Sequence, residues 1–287
     1  MEQRETIGET HGKELKKVLF YIAYLPEHEL AGRVFMELWM HGIEAERLPA
    51  EDNVIQEGDG LLVVTDLLEL AERYTKRGSA VLGYLHEKNR EASFSGVRYL
   101  TEDFSGIDSV YCKMVYARAH GMPLTILETK RCIVREMQEK DLDRLYEIYK
   151  EPSITAYMEP LFEDRDEERT YIRNYIERVY GFYGYGMWSV FDKESGLLIG
   201  RAGIEQKEEL PEMGYMIAPE FQRKGYATEV CTEILSYAEN VLGMQQVRAV
   251  VHRKNTASIK LCEKLGFISI QEDGMYRTYQ CNLAKTY

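Results

Sequence analysis

The stretch Met213-Gly214-Tyr215-Met216-Ile217-Ala218-Pro219-Glu220-Phe221-Gln222-Arg223-Lys224-Gly225-Tyr226-Ala227-Thr228 decides the reading of this chain. Met213 to Ile217 has the character of a strand, and Pro219 ends it. Gln222 to Ala227 then leads straight into a helix in which Ala227, Val230, Cys231, Ile234, Leu235, Ala238, Val241 and Leu242 form an unbroken apolar stripe. A helix begun in this way is an anion site. Its first backbone N–H groups have no partner inside the helix, its dipole favours negative charge, and Gly225 removes the side chain that would keep a phosphate at a distance. Arg223 and Lys224 add cationic side chains beside it.

Downstream, Arg248 to His252 reads as a strand, Asn255 as the N-cap of a helix through Ser258, and Gly266 as the residue that ends it. Upstream, Gly186-Met187-Trp188-Ser189-Val190 and Leu198-Ile199-Gly200-Arg201-Ala202-Gly203 form two more strands. With Gln222 to Ala227, Asn255 to Ser258 and Glu263 to Phe267, these segments resemble the GNAT acyltransferase superfamily over residues 130–285, in its branch that acetylates N-termini of ribosomal proteins. The resemblance implies acetyl-CoA as co-substrate, no metal, and a primary amine as acceptor. Gln222, Arg223, Lys224, Gly225, Tyr226, Ala227 and Thr228 would hold its pyrophosphate, with Asn255 also counted as a cofactor contact. Backbone N–H groups of Tyr215, Met216 and Ile217 would face the thioester carbonyl and the pantetheine arm.

Acyl transfer needs a neutral amine, yet an alkyl amine has a pKa near ~10 and arrives protonated, so a base is required. Glu212 stands where many family members carry that base; a solvated strand-start carboxylate after Pro211 is the plain alternative, and Glu205 is a second candidate. Glu208 and Glu209 read as turn residues. The family's leaving-group tyrosine is replaced here by Cys262, which continues an apolar face and reads as a packing thiol, so Ser258 is the expected acid, against a plain first-turn serine. Glu163 to Glu168 forms an acidic cluster that would attract a cationic acceptor or simply start a helix before Tyr171 to Val179, and Gly181 to Gly186 is an aromatic turn that would gate the groove or pack.

Residues 1–129 alternate strand and helix: Val18 to Leu25, helix from Glu27 to His41, Gly60 to Thr65, helix from Leu67 to Arg77, Ala80 to Leu85, helix from Tyr111 to His120, and a closing strand over Leu124 to Leu127. That order implies a mostly parallel, Rossmann-like sheet covered on both faces. No glycine-rich turn follows the first strand, which removes a dinucleotide site. The segment Leu61 to Leu85 and Ile107-Asp108 faintly resemble haloacid-dehalogenase-like phosphatases, but the nucleophilic aspartate pair is missing, so no catalysis is expected there. Asp66 and Asp108 read as capping or turn residues, and His86 as a solvated loop histidine. The fold class expected is α/β, a three-layer Rossmann-like domain (1–129) fused to a mixed α/β GNAT domain (130–287).

At 287 residues, two domains are expected. The 36 Lys+Arg against 48 Asp+Glu leave a net charge of −12, which speaks against a nucleic-acid partner. The polar start and the absence of any run near the ~20 apolar residues of a membrane span argue for a cytoplasmic protein without a membrane partner. Five dispersed cysteines fit reduced thiols. The function expected is acetyl-CoA-dependent N-acetylation of a peptide N-terminus or a small-molecule amine; the competing reading is a regulatory protein whose GNAT domain senses acetyl-CoA without transferring it. A homodimer is compatible with either.

Overall fold

In the computed structural model, which describes residues 14–24, 28–49, 55–207 and 210–283, the chain divides into two units between Leu124 and Thr125. In the first unit β1 (Lys17–Tyr21), β2 (Glu44–Arg47), β3 (Leu61–Thr65), β4 (Ala80–Tyr84) and β5 (Tyr99–Thr101) are all parallel, in the order β2-β1-β3-β4-β5. The apolar runs of β1, β3 and β4 are continuous because each strand feeds two cores. Val18, Phe20 and Ile22 point to one side, Leu19 and Tyr21 to the other. Helices α1 (His28–Met40) and α3 (Ser109–Ala119) cover the first side, α2 (Leu68–Thr75) the second, which is the three-layer arrangement.

Two strands escaped the hydrophobic pattern. β2 is the sequence Glu-Ala-Glu-Arg on an edge, held by Lys17, whose Nζ lies 3.0 Å from Glu44 and 2.6 Å from Glu46. β5 is three residues long. The closing strand expected over Leu124 to Leu127 is not part of this sheet: β6 (Thr125–Glu128) turns back through Thr129, whose N–H donates to the Cys132 carbonyl (2.9 Å), and pairs antiparallel with β7 (Cys132–Arg135). A four-residue apolar run does not say which sheet it will join; the short hairpin connection does. Asp108 caps α3, accepting from Tyr111 N–H at 2.7 Å. Asp66 accepts from the N–H groups of Ala23 and Tyr24 (2.9 and 2.8 Å), and His86, read as solvated, instead packs against it with Nε2 3.1 Å away and its side chain 10% exposed. Leu25 to Glu27, and Glu208 and Glu209, lie outside the described residues.

The second unit is built on one eight-stranded sheet in the order β12-β13-β11-β10-β9-β8-β7-β6, where β8 is Met187–Asp192, β9 Leu198–Lys207, β10 Leu210–Ile217, β11 Gln246–His252, β12 Ile268–Asp273 and β13 Tyr276–Asn282. Helices α4 (Leu142–Tyr149), α5 (Pro152–Thr155) and α6 (Arg165–Tyr175) precede the centre of the sheet, and α8 (Tyr226–Asn240) and α9 (Thr256–Lys264) follow β10 and β11. The helix expected over Tyr171 to Val179 is interrupted: α6 passes into a π-turn, Ile176–Tyr180, before the short α7 (Gly181–Tyr183). Register fixes the faces. Trp188, Ala202 and Tyr215 stand in one cross-strand row, and Trp188 meets Tyr237 of α8 edge to face with ring centroids 5.9 Å apart. The neighbouring row of Ser189, Arg201 and Met216 therefore faces the other way, toward α4, where Ser189 Oγ donates to Asp141 (2.8 Å). All five cysteines are buried and unpaired, and burial pushes the Cys262 thiol up to about 11, as a packing residue requires. No helix among the described residues is long and apolar enough to cross a membrane.

Candidate functional site

The loop before α8 is shaped by two residues in the left-handed region, Arg223 (φ 58) and Gly225 (φ 86). For arginine that conformation costs roughly 1–3 kcal/mol and persists only where the surroundings impose it. Gly225 is the N-cap and has no side chain to cap with, and the first bond within the helix runs from Glu229 N–H to the Gly225 carbonyl (3.0 Å). The backbone N–H groups of Tyr226, Ala227 and Thr228 thus precede the first internal helical bond and face outward, as an anion site needs. Gln222, Arg223 and Lys224 are exposed around them, but Gln222 turns its amide back to donate to the Ile217 carbonyl (2.8 Å), so it closes the loop on β10.

A brace that the sequence did not announce holds this loop. Arg131 donates from Nη1 to the Lys224 carbonyl (2.9 Å) and from Nε to Glu229 (2.7 Å), and its guanidinium lies 4.1 Å from the centre of the Tyr226 ring. Glu229 accepts further from Thr129 Oγ1 (2.6 Å) and Arg131 N–H (2.8 Å). Tyr226 donates its hydroxyl to Asp192 (2.8 Å), so its side chain is structural and only its N–H is left for a ligand. Burial alone would raise the Glu229 carboxyl, but the bonds from Thr129 and Arg131 outweigh it and hold it below the usual carboxylate range. A depressed folded pKa means that this stabilisation is complete at neutral pH and is lost only as pH falls through the folded value. Glu229→Gln is expected to cost about 1.5–3 kcal/mol of stability at pH 7 and to weaken coenzyme A binding several-fold, checked by thermal unfolding and calorimetry.

The sheet opens between β10 and β11. These parallel strands share a single register pair, Glu212 with Arg248. On its other edge β10 pairs continuously with β9 from Leu210 to Ile217, and Ala218 N–H donates to the Ile199 carbonyl (2.7 Å). With a period of two, Met216 N–H also turns to β9, whereas Tyr215 and Ile217 turn theirs toward the gap. Of the three donors expected for the thioester carbonyl, Met216 is therefore committed to the ladder. Tyr215 and Ile217 remain.

Glu212 and Ser258 lie on opposite faces of this gap. Glu212 is on the face of α4 and α6, opposite Glu205 in register and 3.3 Å from Arg248 Nε, at ion-pair distance but off the angle of a hydrogen bond. Burial raises its carboxyl above the ordinary range, with Arg248 and Lys207 pulling the other way. Glu205 is the poorer base: one oxygen accepts from the Tyr175 hydroxyl (2.6 Å) and the other lies 3.2 Å from Lys207 Nζ. On the opposite face Asn255 caps α9, its Oδ1 accepting from Ser258 N–H at 3.1 Å, so its oxygen is spoken for. Ser258 Oγ accepts from the Tyr215 hydroxyl (2.9 Å), which leaves the serine's own proton free to be given away.

The acidic cluster has a plainer account. Asp164 caps α6 by accepting from Asp166 N–H (2.8 Å), Asp166 pairs with Arg169 (2.8 Å), and Glu168 is buried, accepting from Phe162 N–H (3.0 Å). In the aromatic turn Tyr185 donates to Gln206 (3.0 Å), while Phe182 is 81% exposed.

Residues 131–268 match the model of the acetyltransferase (GNAT) domain. The Bacillus subtilis protein named uncharacterized N-acetyltransferase YoaA is 32% identical over 163 residues, 54% of this chain and 87% of that one. The uncharacterized N-acetyltransferase p20 of Bacillus licheniformis is 30% identical over 158 residues, 54% of this chain and 86% of its own. Among solved structures, the GNAT-family acetyltransferase from Bacillus anthracis is 18% identical with a TM-score of 0.48, over 55% of this chain and 98% of that one. With a relative matched at this identity over 87% of its length, and the family's model matching through the segment that forms the loop and the open seam, this chain is a member of the GNAT family, an acyltransferase that takes its acetyl group from acetyl-CoA.

Proposed function

We propose that the acceptor is a primary amine, on a peptide N-terminus or a small molecule, and that it is acetylated at the seam between β10 and β11. The single register pair of these strands carries this reading. A ladder that stops at Glu212 leaves backbone donors of Tyr215 and Ile217 without strand partners. These fit the pantetheine arm and the carbonyl that becomes anionic as the amine attacks; a donor so placed is worth about 3–4 kcal/mol in the transition state. The loop fits the other end of acetyl-CoA, since the first turn of α8 and the left-handed Arg223 and Gly225 form a concave run of backbone around a pyrophosphate-sized anion.

Glu212 takes a proton from the acceptor ammonium, directly or through water, and the neutral amine then attacks the thioester carbonyl. Burial that raises its pKa brings it nearer to the working pH, where a base that must both lose and regain a proton is most effective. The tetrahedral intermediate collapses with the thiolate leaving on the α9 side, and Ser258, its Oγ held by the Tyr215 hydroxyl, gives it a proton that solvent restores. Base and acid lie on opposite faces, and the open seam is what lets one bound molecule reach both. For residues 1–124 the dehalogenase-like resemblance remains a proposal of fold kinship alone: the residues after β1 are Ile22, Ala23 and Tyr24, with no aspartate among them.

Calorimetric titration with acetyl-CoA followed by measurement of free thiol across an amine panel tests the reading. Binding in the micromolar range and amine-dependent thiol release are expected. Binding without release on any amine would favour the sensor.

A further inference from the structure

One charge on the acceptor side has no part in the transfer described above. Arg201, on β9 opposite Ser189 and Met216, is 9% exposed, its Nε has no hydrogen-bond partner, and it forms no ion pair among the described residues. Other arginines of the unit are paired: Arg135 is bidentate on Asp141 and Arg173 on Glu139. A guanidinium removed from water without a counter-charge is costly to a fold and is retained where something else requires it.

Four tyrosines lie within electrostatic reach of this guanidinium: Tyr149 of α4, Tyr171 and Tyr175 of α6, and Tyr180 of the π-turn. An α-helix would set residues five apart about 140° from each other around its axis; the π-turn brings Tyr175 and Tyr180 into edge-to-face contact at 5.4 Å. Their hydroxyls are occupied. Tyr175 donates to Glu205 and accepts from Met187 N–H (2.8 Å), and Tyr180 accepts from Met137 N–H (3.2 Å) and donates to the Met187 carbonyl. The hydroxyls of Tyr149 and Tyr171 have no hydrogen-bond partner among the described residues, and Tyr171 is 44% exposed, which opens the cluster to solvent.

The register then connects this cluster with the base. On the same face of β9 and β10, the row of Arg201 and Met216 is followed by Gly203 and Gly214, and next by Glu205 and Glu212. Two glycines leave no side chain of these strands between the guanidinium and the carboxylates; the Met187 side chain lies against Gly214, the backbone of Gly186 and Met187 against Gly203, and the Tyr175 hydroxyl bridges Met187 N–H and Glu205.

We propose that Arg201 binds a carboxylate of the acceptor, so that the substrate is an amine that also carries a carboxylate, its nitrogen toward Glu212. A planar guanidinium with its fork of N–H donors matches the single charge and two oxygens of a carboxylate. The inference rests on the transfer reading and narrows its acceptor.

The test begins without turnover. Calorimetry on the coenzyme A-loaded protein with 3-phenylpropionate and 3-phenylpropionamide should show the carboxylate binding at least about tenfold more tightly, the preference vanishing in Arg201→Gln and returning in part in Arg201→Lys. Equal binding of the two probes overturns the proposal. Arg201→Met should hold or raise the unfolding midpoint, by roughly 2–4 °C, because it removes an uncompensated buried charge; a fall of that size marks a merely structural arginine and also overturns it. In thiol-release assays, amino acids and short peptides should exceed their amides through KM, with kcat little changed, and lose that advantage in Arg201→Gln. Arg201-dependent carboxylate binding with no amine ever acetylated would sink the transfer reading and leave the carboxylate site standing.

Discussion

Glutamine in place of Glu212 is expected to lower kcat/KM for acetyl transfer by about 10²–10⁴ at neutral pH, the range a positioned general base supplies. The pH dependence carries more information than the loss itself. Glu212 is active when ionised and burial raises its pKa, so the wild-type rate should climb with pH through a limb lying above the ordinary carboxylate range. In Glu212→Gln that limb disappears, and what remains rises toward the pKa of the free amine, near ~10, because the substrate must now lose its proton unaided. The measurement is a pH–rate profile of thiol release at saturating acetyl-CoA, with the unfolding midpoint recorded beside it. Full turnover at every pH would remove Glu212 from the mechanism and return it to the role of a partner for Arg248.

The second large effect is on stability. A Cβ at Gly203 would stand 2.0 Å from the Gly186 carbonyl oxygen, the oxygen that accepts from Ile204 N–H (3.2 Å). Neither atom can yield without breaking the sheet between β8 and β9. Gly203→Ala is therefore expected to destabilise the C-terminal unit by more than about 3 kcal/mol, enough to lower its unfolding midpoint by roughly 6 °C or more. Its register neighbour provides the control. A Cβ at Gly214 would meet the end of the flexible Met187 side chain, its sulfur at 3.4 Å and its methyl at 3.7 Å, so Gly214→Ala should stay within about 1 kcal/mol. Equal effects at the two positions would contradict the packing described here. Thermal or urea unfolding of both variants decides it.

These two cases also mark how far the amino-acid sequence reaches. The loop from Gln222 to Thr228, the helix behind it and the Asn255 cap were legible because their physics is local: a strand stop, a glycine at the helix start, an apolar stripe, a capping side chain. Register is not local. Nothing in Met213 to Ile217 tells that β11 leaves β10 after one pair, or that Met216 N–H points to β9 whereas its neighbours do not. The brace of Arg131 on Lys224 and Glu229 spans more than ninety residues and has no spacing to betray it. β2 was missed because an edge strand held by Lys17 through Glu44 and Glu46 is spelled with charges. The acidic run at Glu163 has the charge of an acceptor site, yet it is a capped helix start. In the sequence Arg201 is one residue of a strand segment and carries no further signal, since burial without an ion pair is a property of the folded neighbourhood.

The fork after Glu212 divides the eight-stranded sheet into two halves joined at a single backbone contact. One core packs against both halves, so the weakness is local to the fork: backbone amides along it should exchange with solvent more readily than those of the β8 to β10 ladder when no ligand is present. A molecule lying in the fork replaces the missing rungs of the ladder. Amide protons of Tyr215 and Ile217 should then exchange with deuterium far more slowly once coenzyme A is bound. The co-substrate would thereby act as a strand of the protein that holds it.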